Sequence, residues 1–360
     1  MDGFKNIEIK NFRGIDHLKI DDFSRVNVFL GQNGSGKTSI LETLLMLTGI
    51  SNPELPQAIN SLRSRGSLGQ FIHVRDMFHN LILQNPPDIS SIQFDNTKRH
   101  LAIKMPYSFD EQEQTAIPIG QIPRSDAMAT INQVEMNFDV TVDGKEKYYK
   151  SALTFNQQGL PKNRTIAEGY QESMIATLIS ASLIFANVAN DLAELVKRKM
   201  KQIVIDRLVH FDNRITTIEV LPDGVYVGMT GVPELLPISM HGDGLSRYLS
   251  ILAASANPIN NVVLIDEIDN GIHYSAYKKL WEAIFALATT TNKQVFVTTH
   301  SKETLFRLSK MLEEHPEYQN EMRLYTIAKT LKNGHQAYKY TYEGLAGACE
   351  NDVELRGRVL

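Results

Sequence analysis

The sequence predicts an α/β fold in which a parallel core sheet lies beside an antiparallel β-rich lobe. Three observations carry this expectation. The runs "VNVFL" (26–30), "NVVLIDE" (261–267) and "QVFVTTH" (294–300) are apolar almost throughout, as strands buried on both faces are. A helical pattern over 273–291 separates the last two, and strand, helix and strand in succession imply parallel pairing through a crossover. The segments 91–105 and 134–155 instead alternate about Asp95-Asn96 and Asp143-Gly144, turn pairs suited to hairpins.

The remaining elements follow in chain order. "FKNIEIK" (4–10) alternates as a strand, and "NFRGIDHLKI" (11–20) supplies its antiparallel partner. After the buried run 26–30 comes the small-residue turn "GQNGSGKT" (31–38), then Ile40, Leu41, Leu44, Leu45 and Leu47 mark an apolar helix that ends near Gly49 and Pro53. The polar, proline-bearing stretch 107–130 reads as an exposed loop. From 186 to about 209 the pattern is helical, 215–229 gives another hairpin, and Leu245, Leu249, Ile251 and Leu252 mark a helix after "SMHGDG" (239–244). Tyr277, Leu280, Trp281, Ile284 and Leu287 fall on one helix face and are expected in the core.

Composition narrows the functional classes. A chain of 360 residues, 42% hydrophobic and 22% charged, can bury a large core. Its longest apolar stretch, 174–189, falls short of the roughly 20 residues of a bilayer span and contains Thr177, Ser180, Ser182 and Asn187, so no membrane partner is expected. The N-terminus lacks an apolar signal core, and Cys349 is the single cysteine, which together point to the cytoplasm. A net charge of -4 gives no general attraction for nucleic acid. Lys197, Arg198, Lys199, Lys201 and Arg207, expected on one helix, keep nucleic acid on the list of partners to test.

Gly31, Gln32, Asn33, Gly34, Ser35, Gly36, Lys37 and Thr38 satisfy G-x-x-x-x-G-K-[ST] between a buried strand and a helix, the context that pattern requires. Glycines let backbone N–H groups converge on phosphate oxygens, the helix N-terminus adds its positive dipole end, Lys37 reaches the β- and γ-phosphates, and Thr38 can ligate Mg²⁺. Ser39 follows in the first turn. At the end of "VVLIDE", Asp266 is placed to hold Mg²⁺ and Glu267 to activate the water that attacks the γ-phosphate. His300 ends the neighbouring strand, so parallel pairing brings it beside Glu267 at the carboxyl edge of the sheet. The D-x-K pattern of Asp143 and Lys145, with Glu135 and Asp139, is shared with metal nucleases; Asp-Gly is equally what the hairpin turn requires.

The opening "IEIKNFRGIDHLKIDDFSRVNVFLGQNGSGKTSILETLL" resembles the start of ABC-type ATPases of the SMC/RecF/OLD group. "LPISMHGDGLSRYLSIL", "VVLIDEIDNGIHYSAYKKLWEAIF" and "QVFVTTHSKETL" are similar to later motifs of the stand-alone, OLD-like AAA ATPases of that group, as is the closing "YEGLAGACENDVELR". The resemblance implies an ABC-type P-loop NTPase head (1–360) with a mixed central sheet. It divides into a phosphate-loop core (1–50), a β-rich lobe with inserted loops (51–165), a helical signature subdomain (166–255), and a region (256–360) with the acid strand, the His strand and the C-terminus. It also implies ATP and Mg²⁺ as ligands, with adenine favoured because no N-K-x-D motif is found, and a homodimer or higher homo-oligomer in which the signature motif of one subunit completes the other's site.

In this chain the signature position is Ser239, Met240, His241, Gly242, Asp243 and Gly244, without the usual serine-glycine-glycine run. The resemblance also places Arg13 and Asn33 near the triphosphate, makes Asn270 and His273 interface candidates, and leaves Gln70 and Gln84 as alternatives for the Q-loop. Only 60 residues follow His300, too few for the nuclease domain that OLD proteins append, and no long heptad stretch provides SMC-type arms. Stand-alone members often control a separate effector, a nuclease or toxin, in anti-phage defence. A RecF-like DNA-binding repair factor is the alternative.

Overall fold

The computed structural model describes residues 2–63, 71–106, 133–156, 160–180, 188–330 and 334–357. Along the chain come β1 (Ile7–Phe12), β2 (Ile15–Ile20), β3 (Val26–Leu30), α1 (Lys37–Thr48) and α2 (Leu55–Arg63). Next are β4 (Asp88–Ile92), β5 (Lys98–Lys104), β6 (Gln133–Val142), β7 (Lys145–Phe155), β8 (Pro161–Thr165) and β9 (Ala176–Ile179). Then follow α3 (Val188–Lys197), α4 (Lys201–Phe211), β10 (Ile215–Leu221), β11 (Gly224–Met229), β12 (Leu236–Pro237) and α5 (Gly242–Ala256). The chain continues through β13 (Val262–Ile265), α6 (Tyr277–Thr290), β14 (Gln294–Thr299), α7 (Lys302–Glu314), β15 (Met322–Thr330), β16 (Gly334–Tyr340) and α8 (Tyr342–Glu350).

The core sheet has the order β16-β15-β3-β14-β13-β9, parallel except for β16, which runs antiparallel at one edge. Its strands are apolar throughout because both faces are covered. Val26, Val28, Leu30, Val263, Ile265, Val295 and Val297 pack on one side with α3 to α8, while Phe29, Val262, Leu264 and Phe296 face the other side with α1. Beyond α1 lies the antiparallel sheet β2-β1-β4-β5-β6-β7-β8, so α1 is a helix between two sheets. Ten of its twelve residues are buried accordingly. The face read from α6 is core: Tyr277, Leu280, Trp281, Ile284 and Leu287 are all buried.

The hairpins expected at 91–105, 134–155 and 215–229 form as β4–β5, β6–β7 and β10–β11. Asp143 and Gly144 take φ 51° and 75°, as a two-residue hairpin turn requires. The N-terminal pair β1–β2 hydrogen-bonds through β1 to β4, so it belongs to the antiparallel lobe although it precedes the phosphate turn. The basic helix expected over 196–207 is corrected to two helices: Lys199 adopts φ 59° between α3 and α4, and a left-handed residue breaks the run. Its cations are engaged locally, Lys197 and Arg198 with Glu194 and Lys201 with Glu219. The loop expected at 107–130 lies outside the described residues.

On the antiparallel sheet, His100 of β5 is bracketed by two carboxylates, Asp88 Oδ2 on β4 at 2.8 Å from Nε2 and Asp139 Oδ1 on β6 at 2.7 Å from Nδ1. The Asp88 and Asp139 hydrogen bonds outweigh desolvation and raise the His100 pKa to about 9. A histidine raised on folding contributes stability that is complete below its unfolded value of 6.5 and is lost as pH rises through about 9. We therefore expect the difference in urea midpoint between the wild type and His100→Gln to be largest at pH 6 and to vanish by pH 10. A difference independent of pH would show that the imidazolium is not what the two aspartates hold.

Candidate functional site

The carboxyl ends of β3, β13 and β14 lie side by side, with Leu30 opposite Thr299 and Ile265 opposite Val297. Ligands of open α/β sheets bind at this edge. From β3 the chain enters the small-residue turn. A side chain at Gly31 (φ 155°) would collide with the Ile327 carbonyl of neighbouring β15, so the turn can lie against that strand only without a Cβ. Gly34 and Gly36 take φ 78° and 98°, and Gly36 forms the N-cap of α1 without a side-chain cap or an acidic residue in the first turn. Among the described residues no side chain of the N-cap or first turn caps the first amides of α1, which carry the positive end of the helix dipole.

Within the turn, the Lys37 ammonium donates to the carbonyls of Gly31 (2.8 Å) and Gln32 (2.9 Å). Burial lowers the Lys37 pKa, and the charges of Asp266, Glu267 and Asp269 oppose that fall. Ser35 is buried, and its Oγ has no hydrogen-bond partner among the described residues. Asn33 and Gly34 are exposed at the tip. Gln32 Nε2 donates to the Gly357 carbonyl (2.9 Å), which brings the C-terminal segment against the turn.

Opposite the turn, Asp266 accepts from Thr38 Oγ1 at 3.0 and 3.1 Å and from Thr298 Oγ1 at 2.6 Å. A hydroxyl and a carboxylate so placed are the oxygen donors that Mg²⁺ takes beside phosphates. The orphaned Ser35 hydroxyl, the uncapped helix amides and the Lys37 ammonium suit a polyphosphate. The residues present thus fit Mg²⁺ with a nucleoside polyphosphate.

Glu267 follows with φ 50°, a left-handed conformation that costs a non-glycine residue about 1–2 kcal/mol. Its N–H donates to Thr298 Oγ1 (2.8 Å), and Ile268 N–H donates to the Thr298 carbonyl (3.0 Å), so the turn is pinned to β14. His300, half-exposed, sits with Nδ1 3.7 Å from Asp269 Oδ2, while Thr299 Oγ1 donates to Asp269 Oδ1 at 2.6 Å. The histidine therefore faces this edge through Asp269.

The other expected positions divide. Arg13 hydrogen-bonds Glu42 of α1 (Nε to Oε2, 2.6 Å) and Asn60 of α2 (2.6 Å), so among the described residues its side chain is held by those helices. Arg63 takes the other side of Glu42 at 2.6 Å and reaches Ser39 Oγ at 3.4 Å. Gly242 and Asp243 are exposed at the start of α5, Ser239 is exposed in the 3-10 turn Ile238–His241 that precedes it, and Met240 is 70% exposed. Gly244 faces inward, and a Cβ there would lie 2.8 Å from the Gly271 carbonyl. His273 caps the short 3-10 turn Tyr274–Ala276 by accepting from Ser275 N–H. Gln84 is exposed and Gln70 lies outside the described residues. The nuclease set is dispersed: Asp139 binds His100, Glu135 pairs with Lys150 at 2.6 Å, and Asp143 and Lys145 flank the hairpin turn.

Sequence reasoning missed Thr298, Asp269 and Arg247. The paired threonines before His300 carried a signal, as did Arg247, the single charged residue in the run 245–256. Arg247 is buried and donates to the backbone carbonyls of Ser180, Asp266 and Glu267.

A family model described as "AAA domain, putative AbiEii toxin, Type IV TA system" matches residues 26–305. The chain belongs to this AAA family. An "ATP/GTP phosphatase" of Helicobacter pylori is 25% identical over 335 residues, 86% of this chain and 88% of that protein. The DNA replication and repair protein RecF of Lactococcus lactis is 54% identical over 43 residues, 12% of either chain. A solved Smc head bound to the C-winged helix domain of ScpA covers 94% of this chain and 98% of its own at a TM-score of 0.49 and 12% identity, a likeness too slight to speak to function. The protein is therefore of the AAA ATPase family on a P-loop α/β fold, as the resemblance implied, and its likeness to RecF is confined to those 43 residues. Among the described residues, no helix of this AAA protein is long and apolar enough to cross a membrane.

Thr298→Val removes the hydroxyl that donates to Asp266 and accepts from Glu267. Leaving those groups unpaired is expected to cost about 1–3 kcal/mol in urea unfolding. Loss of the support behind a metal-holding carboxylate should raise the Mg²⁺ needed for half-maximal nucleotide binding about 10-fold or more. An unchanged Mg²⁺ requirement would separate Thr298 from the site.

Proposed function

We propose that this AAA protein is a Mg²⁺-dependent ATPase whose ATP-bound state is a head-to-head dimer and whose cycle controls a separate effector. The observation that carries the reading is the meeting of Thr38 and Asp266 at 3.0 Å, with Lys37 and Glu267 on either side. Its relative's name, ATP/GTP phosphatase, supports hydrolysis, and the family description, which names a putative AbiEii toxin of a Type IV TA system, supports a toxin-antitoxin setting for the cycle.

Lys37 and the first amides of α1 neutralise the charge that develops on the β- and γ-phosphates as the bond between them breaks. Thr38 and Asp266 are the residues that would hold Mg²⁺, which would supply further positive charge beside the phosphates. Glu267 accepts the proton of the water that attacks the γ-phosphorus, leaving ADP and phosphate; His300, steadied by Asp269, orients that water. The exposed start of α5 at Gly242 and Asp243, with Ser239 in the turn before it, offers N–H groups to a partner's γ-phosphate, so that losing the phosphate opens the dimer.

The repair-factor reading finds less support, because Lys197, Arg198 and Lys201 are paired with acids. A steep loss of DNA affinity with salt would revive it.

Glu267→Gln in Mg²⁺ and ATP should run at twice the monomer mass in light scattering and release phosphate at least 100-fold more slowly than wild type. Lys37→Ala should remain a monomer without bound nucleotide. GTP in place of ATP measures base preference on the same samples. A wild type that stays monomeric and releases no phosphate would overturn the proposal.

A further inference from the structure

Arg247 lies one turn into α5, the helix whose exposed start carries Gly242 and Asp243, and its side chain is 1% exposed. A guanidinium so deep ordinarily meets a carboxylate. Here, among the described residues, the hydrogen bonds go to backbone carbonyls instead: Ser180 at the end of β9 through one terminal nitrogen (2.6 Å), and Asp266 and Glu267 after β13 through the other, at 3.3 Å for Glu267. The choice of carbonyls has a chemical consequence. The Asp266 carboxylate is left to Thr38 and Thr298 while its backbone is clamped from behind.

A second contact joins the same two segments. Gly244, at the start of α5, packs so closely on Gly271 that a Cβ would lie 2.8 Å from its carbonyl. Helix α5 therefore touches the acid-bearing turn 266–271 at two points, one turn apart. Glu267, between them, holds the left-handed φ of 50° noted above.

We infer that Arg247 is a positioning residue that sets Asp266 and Glu267 by their backbones and makes α5 the lever through which contact at its exposed start moves the subunit's own acids. The lever part rests on the proposed dimer; the positioning part does not. Lysine keeps the charge but has no planar fork to span Ser180 and Asp266 together. A displacement of about 1 Å at reacting groups costs on the order of 100-fold in rate.

The test compares wild type, Arg247→Lys and Arg247→Gln, the last being neutral so that no unpaired charge is buried should the lysine protein fail to fold. Phosphate release gives kcat and KM, and amide exchange is followed over 262–270 with 37–48 as control, with and without Mg²⁺ and ATP. We expect kcat to fall at least 30-fold with KM within about threefold, and exchange to rise at least 10-fold over 262–270 but not over 37–48. In wild type, ATP should slow exchange over 262–270, and this slowing should be absent in the variants. A kcat within twofold of wild type, or exchange that rises equally in both segments, would overturn the inference by assigning Arg247 to general stability. Should wild type itself release no phosphate, the ATPase reading fails, and the exchange at 262–270 without nucleotide still decides whether Arg247 holds the acids.

Discussion

The hydrogen bond between Thr38 and Asp266 joins residues 228 positions apart, and the site exists only where that bond can form. It depends on register. β3, β14 and β13 are parallel neighbours whose ends align, so the turn after Leu30, the acids after Ile265 and the histidine after Thr299 emerge on one edge. A slip of one residue would reverse the facing of every side chain in a strand. Because both faces of these strands are buried by different partners, α1 on one side and α5 to α7 on the other, such a slip would disturb two cores at once.

The helix that carries Lys37 and Thr38 is held by the antiparallel lobe as firmly as by the core sheet. Arg99 of β5, itself buried, donates to the Leu47 carbonyl at the C-terminal end of α1 and pairs with Glu172. Arg13 and Arg63 close on Glu42 midway along it. Of these the Arg13–Glu42 pair is buried on both sides, and removing one member of a buried pair typically costs about 3–5 kcal/mol, because a charge is left without its partner. The lobe thus fixes one wall of the site, and the helical side fixes the other through Arg247. The C-terminal segment adds a third tie, from Gly357 to Gln32 and from Leu355 to Thr326 of β15.

Much of this was legible in the sequence because it is local. Gly31 to Thr38 declares its conformation through small residues, "VVLIDE" declares a buried strand end, and Asp143-Gly144 declares its turn. What escaped depends on distant partners. Nothing within 4–20 says that β1 will pair with β4 across 80 residues of chain, or that 322–330 will lie beside β3. Arg13 stands in a stretch resembling nucleotide-binding chains, yet its direction is set by Glu42 and Asn60. The charge run 196–207 looked like one helix because lysine favours helices, whereas Lys199 is left-handed and a turn follows from the packing of α3 and α4 on α5.

The central claim is that the turn 31–38 and Asp266 together hold a nucleotide through Mg²⁺. Calorimetric titration of ATP into wild type and Thr38→Ala, each with and without Mg²⁺, tests it most directly. Mg²⁺ should tighten binding to wild type at least 10-fold and leave Thr38→Ala, which still binds ATP through Lys37 and the helix amides, nearly unaffected. ATP that fails to bind wild type, or that binds both proteins equally well whether or not Mg²⁺ is present, would contradict the account.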